Sequence, residues 1–411
     1  MEAHLADFIK DTVDGREAET ILRTCVHCGF CTATCPTYQL LGDELDGPRG
    51  RIYLMKQMLE GGTVTARTQL HLDRCLTCRA CETICPSGVR YGRLVEIGRE
   101  VVEAKVPRSR SERVRRWLLR KSLLSRPLVA LAVTGGRLAR PLLPARLASK
   151  VPDARPAAAW PRARHSRRML ALYGCVQPAL APSIDAAMAR VLDRIGISLV
   201  RAPGSGCCGA ISQHPAAADE AMAFMRANID AWWPEIERGA EAIVVTASGC
   251  GVQLKEYGDL LREDPVYAER AKRIAALARD PVEIVAAEWK CIAPLVAMDR
   301  GAQRVAFHSP CTLQHGLRLG GRVEEILKAL GLNLTIVADA HLCCGSAGTY
   351  SILQPVLSQE LRANKVAALE AGRPEVIATA NIGCLVHLSA GTQRPVRHWI
   401  ELIESRLMGR V

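Results

Sequence analysis

Aromatic residues make up only 4% of this 411-residue chain. So few aromatics offer little for base stacking, and no nucleic-acid fold is evident, so nucleic acid is not an expected partner. Long apolar runs are missing too. The best, PLVALAVTGG (Pro127 to Gly136), is about half of the roughly 20 residues that a membrane span needs. The first residues, MEAHLADFIKDTVDG, hold no apolar leader, so the reducing cytoplasm is the expected compartment. A convincing nucleotide loop is also lacking. GSGCCG (Gly204 to Gly209) matches G-x-G-x-x-G, but the corresponding turn further on, AHLCCG, lacks the first glycines. The match is read as accidental, and neither flavin nor nicotinamide is expected on this chain.

Cysteine is abundant instead, with 17 residues. CVHCGFCTATCP (Cys25 to Pro36) and CLTCRACETICP (Cys75 to Pro86) share the spacing C-x2-C-x2-C-x3-C-P. Disulfides do not suit thiols this crowded, nor a chain long enough to bury its own core. One zinc ion would leave half of each run idle. The spacing is the bacterial ferredoxin pattern, in which the first three thiolates hold one four-iron cluster and the fourth reaches the other. The expected ligand sets are therefore Cys25, Cys28, Cys31 and Cys85 for one [4Fe-4S] cluster, and Cys75, Cys78, Cys81 and Cys35 for the second.

The net charge of +12 is concentrated. Residues 105–168 hold eighteen Lys or Arg against Glu112 and Asp153, a local +16, so the rest of the chain sums to −4. SERVRRWLLRKSLL reads as an amphipathic helix, with Trp117, Leu118, Leu119, Leu123 and Leu124 beside many arginines. The remainder, with TGG and RPLLP, carries turn signals and reads as a linker along a surface. Three uses are open to it: nucleic acid, ranked last, an anionic membrane surface, and docking to an acidic partner subunit, the last two favoured together; the alternative to all three is a solvated charge run.

Beyond residue 168 the chain repeats itself. GCVQP answers SPCTLQ, GCCGA answers LCCGS, and VVTASGC answers VIATANIGC. Cys175, Cys207, Cys208 and Cys250 thereby match Cys311, Cys343, Cys344 and Cys384. Each half alternates strands and helices, which argues for parallel sheets with ligand sites past the strand C-termini. The expected fold is α+β and multidomain: a mainly helical two-cluster ferredoxin-like domain (1–104), a basic docking segment (105–168), and a duplicated α/β Cys-Cys-Gly domain (169–300 and 301–411). Helices are expected at EAETILRT, GRIYLMKQMLEG and YGRLVEIGREVVEAK, the last stopped by Pro107. The strands expected before the Cys-Cys-Gly turns are ISLVRAP and LTIVAD.

Adjacent cysteines at the same place in both halves are candidates for a further cluster, metal or redox site. Cys291 has no counterpart and is expected to be a buried core thiol. His214, His308, His315 and His341 lie near these turns as ligands, proton carriers or bystanders. DGPRGR (Asp46 to Arg51) and Arg79 are candidates for placing positive charge beside a cluster, which raises its potential.

The paired motifs, GPRGRIYLMKQMLEG and the two Cys-Cys-Gly halves together resemble the iron–sulfur subunits of glycolate oxidase (glycolate dehydrogenase) along essentially the whole chain. The anaerobic glycerol-3-phosphate dehydrogenase C subunit and heterodisulfide reductase subunits are similar more loosely. The resemblance implies an electron-transfer subunit that takes electrons from a flavin-binding partner and passes them toward membrane quinone, cytoplasmic and peripheral on the inner face of the membrane. The alternatives are a self-contained disulfide or quinone reductase built on the Cys-Cys-Gly halves, or the matching subunit of a D-lactate or glycerol-3-phosphate dehydrogenase. One departure stands out. Heterodisulfide reductase units end in C-x-x-C, whereas here the ends read CGVQ (Cys250 to Gln253) and CLVH (Cys384 to His387).

Overall fold

The computed structural model describes residues 1–142, 144, 151–155, 159–296 and 303–409. The boundary expected between 300 and 301, and part of the segment expected as a linker, lie outside the described residues. The N-terminal part is helical. Val13–Thr24 starts where the Thr12 hydroxyl accepts from the Gly15 N–H at 2.9 Å, which satisfies one of the free amides of the first turn. Pro48 opens the helix Pro48–Leu59, where its missing N–H costs nothing. Tyr91–Lys105 runs over the expected residues and stops at Val106, which the following Pro107 holds extended. These helices bury Leu22, Ile52, Met55, Leu94 and Ile97 in one core, and the two cysteine loops hang from its edge.

Among the described residues, the C-terminal part holds two four-stranded parallel sheets of identical order. In the first, β1 (Arg167–Ala171), β2 (Ile197–Arg201), β3 (Ile243–Val244) and β4 (Ala278–Arg279) lie in the order β2-β1-β3-β4. In the second, β5 (Arg304–His308), β6 (Asn333–Leu334), β7 (Val376–Thr379) and β8 (Val396–His398) lie in the order β6-β5-β7-β8. Of the expected strand LTIVAD only Leu334 lies in β6, because β5 pairs there through Arg304 and Val305 alone, opposite Asn333 and Leu334. One hydrophobic core spans both halves. Ile184, Leu192 and Val282 from the first meet Val305, Ile377 and Trp399 from the second, and Ser183 donates to Glu401 at 2.7 Å.

Two expectations are corrected here. The TGG stretch is not a turn: Arg126–Ala139 is a helix, opened by Pro127 and seated through buried Val129. Packing of that face outweighs the turn preference of Gly135 and Gly136. With Arg110–Leu124 it forms a helical hairpin. Cys291 is exposed, not buried. It lies on the short helix Trp289–Ile292, which spends its inward face on Ile292.

Candidate iron–sulfur and thiolate centres

The two ferredoxin-type loops share a backbone device. His27 and Gly29 in the first, and Thr77 and Arg79 in the second, all adopt left-handed conformations. Alternating hands curl a short loop so that three thiols can converge. Arg79 accepts that strained geometry without being glycine, and its guanidinium is held by Glu256 of the first Cys-Cys-Gly half.

The loops exchange their last cysteines. Cys25, Cys28, Cys31 and Cys85 surround one small hollow of 30 Å³. Burial first, then the charges of Cys25, Cys85 and Cys28, pushes the Cys31 thiol up to about 11. Cys35, Cys75, Cys78 and Cys81 surround a second hollow of 20 Å³. Cys81 touches both hollows. Four soft thiolates per hollow are a donor set suited to iron–sulfur ligation.

Positive charge lies against the second group. Arg51 is fully buried and reaches Asp46 at 3.3 Å, Thr37 Oγ1 at 3.1 Å and the His71 carbonyl at 2.7 Å. Asp46, also fully buried, is shared with His71 at 3.1 Å and Arg74 at 2.7 Å. The Thr37 hydroxyl in turn lies 3.3 Å from Cys35 Sγ. Burial alone would raise the Cys75 thiol. Arg51, Arg99, the Thr77 N–H and the Tyr91 hydroxyl outweigh it and hold Cys75 below the usual thiol range. Arg51 was visible in the sequence as part of DGPRGR. The Asp46–His71 contact, Tyr91 and Arg99 carried no signal that would have singled them out.

The Cys-Cys-Gly halves bring their four cysteines together in matching chains. In the second, Cys311 and Cys343 lie 3.8 Å apart, Cys344 is hydrogen-bonded to Cys343 and Cys384, and all but Cys311 are buried. In the first, hydrogen bonds from Cys175 and Cys208 outweigh burial and hold Cys207 well below the usual thiol range. Both turns need glycine after the pair. Gly345 has φ +87°, and a Cβ there would sit 2.6 Å from the Ser358 carbonyl oxygen.

A cavity of 430 Å³ lies between the three parts, lined by Cys75, Cys78, Cys175, Cys250, Cys311 and Cys384 among mostly apolar neighbours. Gln177 Oε1, Gln253 Nε2, His214 Nδ1 and Tyr350 Oη, all on side chains that line it, have no protein hydrogen-bond partner. Of the four histidines, His315 donates to or accepts from Thr83 of the N-terminal ferredoxin-like part at 2.9 Å, while His341 offers it a carbonyl. His308 is buried and its Nδ1 lies 2.9 Å from Thr379 Oγ1. Burial, with Lys365 and His387, pushes His308 down to about 3, so its imidazole is neutral.

A 4Fe-4S dicluster domain matches residues 21–89, and a cysteine-rich domain matches twice, at 169–255 and 305–389. The glycolate oxidase iron-sulfur subunit of Escherichia coli (strain K12) is 55% identical over 99% of both chains. This chain belongs to the glycolate oxidase iron–sulfur subunit family. The probable glycolate oxidase iron-sulfur subunit of Bacillus subtilis (strain 168) is 30% identical over 94% of this chain and 92% of its own. Lactate utilization protein A of Bacillus subtilis (strain 168) is 26% identical over 56% of this chain and 97% of its own length. As in the family, the cofactors are four-iron clusters, carried by the N-terminal dicluster domain. Among the described residues, no helix is long and apolar enough to cross a membrane.

Proposed function

We propose that this chain is the electron-transfer subunit of a flavin-dependent glycolate (2-hydroxy-acid) dehydrogenase complex. A separate flavin-binding subunit oxidises the hydroxy acid, and this chain relays its electrons toward membrane quinone. The reading divides the chain at 104, 168 and 300, and assigns Cys25, Cys28, Cys31 and Cys85 to one cluster and Cys35, Cys75, Cys78 and Cys81 to the other. Four-iron clusters supply one-electron steps there; the protein's part is to hold them, bury them and set their potentials. The observation that carries the reading is a series of neighbouring thiols: Cys25 and Cys81 line one hollow, Cys81 and Cys78 line the next, Cys78 feels the charge of Cys311, and Cys311 lies 3.8 Å from Cys343. The purified chain should not turn over glycolate with a dye, and adding the flavin subunit should restore turnover. Turnover by the chain alone, free of flavin, would overturn it.

The helical hairpin supports a peripheral place on the inner membrane face. Val114, Trp117, Leu118, Leu128, Leu131 and Leu138 are all exposed along it, beside exposed Arg110, Arg113 and Arg115. Apolar residues beside arginines suit the boundary of an anionic bilayer.

A second reading keeps an acceptor site on this chain. The apolar cavity with unpartnered polar atoms on its lining favours it, since such pockets of about 300–1,000 Å³ are typical of small-molecule sites. Reduction of an added quinone or disulfide by the chemically reduced chain alone would support it; its absence would return that step to a partner.

A further inference from the structure

The two Cys-Cys-Gly halves match in strand order and in all four cysteines, but they differ at a buried position just before the first cysteine. Three residues before the first cysteine of each half stand Leu172 and His308. Leu172 is an ordinary buried apolar residue. His308, only 2% exposed, is fixed through Nδ1 by Thr379, and its Nε2 is buried with no hydrogen-bond partner. A buried ring nitrogen left unpaired costs desolvation energy unless something binds it.

The donor atoms of His308, Cys344 and Cys384 all lie within 4.8 Å of one another. Around a single tetrahedral ion with metal–sulfur bonds of about 2.3 Å and metal–nitrogen bonds of about 2.0 Å, donors are separated by about 3.4–3.8 Å. Small side-chain rotations close that gap. Among the described residues, no other thiol-containing set is this compact. The remaining compact set, Asp43, Asp46 and His71, is already engaged, because Asp46 is paired with Arg51 and Arg74.

We propose that the second Cys-Cys-Gly half, and not the first, binds one thiophilic divalent ion of the zinc class through His308 Nε2, Cys344 Sγ and Cys384 Sγ. This goes beyond the proposed function: of the uses open to the adjacent cysteines, it takes the metal site, and it names the ion and its nitrogen ligand. Imidazole with two thiolates is a zinc-type set, and it leaves one tetrahedral position for a further donor. Thr379 is a positioning residue: its bond to Nδ1 fixes the ring with Nε2 toward the thiols. Binding displaces the two thiol protons to solvent and involves no redox change.

The test uses the full chain purified anaerobically, with zinc and iron counted on the same sample. Wild type should carry about one zinc beside the about eight irons of two four-iron clusters, and zinc-edge absorption should report sulfur at about 2.3 Å and nitrogen at about 2.0 Å. His308→Leu, which installs the first half's residue, should lose the zinc and keep the iron. Cys250→Ser in the first half should keep the zinc. A wild-type chain that binds added Zn²⁺ no better than His308→Leu overturns the proposal. So does zinc lost from Cys250→Ser but retained in His308→Leu, or extra iron in place of zinc that is indifferent to His308. If His308→Leu does not fold, Thr379→Val should bind Zn²⁺ about 10–100-fold more weakly, and equal binding overturns the proposal. Iron well below eight with zinc intact would instead count against the dicluster ligand assignment alone.

Discussion

Cys78, from the second ferredoxin-type loop, lies against Cys311 of the second Cys-Cys-Gly half. Both pack on the apolar patch of Leu76, Cys343 and Tyr350, and after burial the charge of Cys311 is what Cys78 feels most strongly. The loop and the half are far apart in the chain, so this contact exists only because the fold brings them together. Cys311→Ser should therefore alter the resonance signal of the cluster assigned to Cys75, Cys78, Cys81 and Cys35 while leaving the other signal as it was. Equal disturbance of both would place the contact elsewhere.

The exchange of last cysteines makes an unusual demand on mutants. Cys85→Ser should damage the cluster of Cys25, Cys28 and Cys31, although Cys85 is nearer in sequence to the other loop. Paramagnetic resonance on the reduced single mutants checks this. Damage to the cluster of Cys75, Cys78 and Cys81 would mean that each loop keeps its own fourth ligand.

Arg51 is a buried cation whose partner, Asp46, is buried too. Without Arg51, Asp46 still keeps Arg74 and His71, so the cost stays below that of a wholly stranded buried charge, at about 1–3 kcal/mol. Arg51→Met should lose about that much in urea unfolding, and Arg51→Met with Asp46→Asn should recover part of it. The cluster nearest Arg51 should also show a lower midpoint potential in the single variant, because a neighbouring positive charge favours the reduced form.

Arg113 and Arg115 are exposed on the basic hairpin, whereas Arg116 is paired with Asp73 at 2.9 Å and Arg120 with Glu220 at 2.7 Å. Replacing Arg113 and Arg115 with Glu should weaken sedimentation with anionic vesicles by at least about 2 kcal/mol, at about 1 kcal/mol per basic residue removed. The loss should shrink as salt rises. Arg116→Glu should act mainly on stability. Vesicle binding that ignores both charge and salt would leave the hairpin to a protein partner or to solvent.

Asp185 supplies a pH test away from the clusters. Burial raises its carboxyl to about 6, against the lowering effects of Thr246, Arg201 and Gln177. The unfolded chain ionises this group near its ordinary value, about 3.9, so it releases the proton first. Stability from this group is thus greatest below about pH 4, falls as pH rises to about 6, and is level above; the total is about 2–3 kcal/mol. Asp185→Asn should remove that slope and be the more stable protein at pH 7. Gln177 Nε2, 2.6 Å from the carboxylate, can still donate to the amide oxygen. A wild-type unfolding midpoint that is flat between pH 4 and 6 would contradict this.

Much of the site could be read from spacing alone, because cluster loops place their ligands within a few residues of one another. The duplication was equally legible, since Cys-Cys-Gly recurs with its flanking strands and helices. What escaped the sequence was set by tertiary packing. Arg51 looks like a turn arginine until Asp46 and Thr37 close over it. The short strands β4 and β8 are only two and three residues long, too few for alternation to register. Gly135 and Gly136 look like a break until Val129 anchors their helix. Nor could spacing say which half would meet the cluster loops.

The dicluster part is tied to both halves, by ion pairs to the first and by apolar packing and a thiol contact to the second. Among the described residues, its ion pairs with the Cys-Cys-Gly halves, Arg79 with Glu256, Arg90 with Asp259 at 2.9 Å and Arg262 with Glu17 at 3.0 Å, reach the first half. Its thiol contact is with the second. Salt-bridged and apolar attachment are thereby divided between the two repeats. A pair of identical, unfused copies would present both duties on each face and would have to compromise between them. Carried on one chain, each repeat keeps the surface that suits its own attachment.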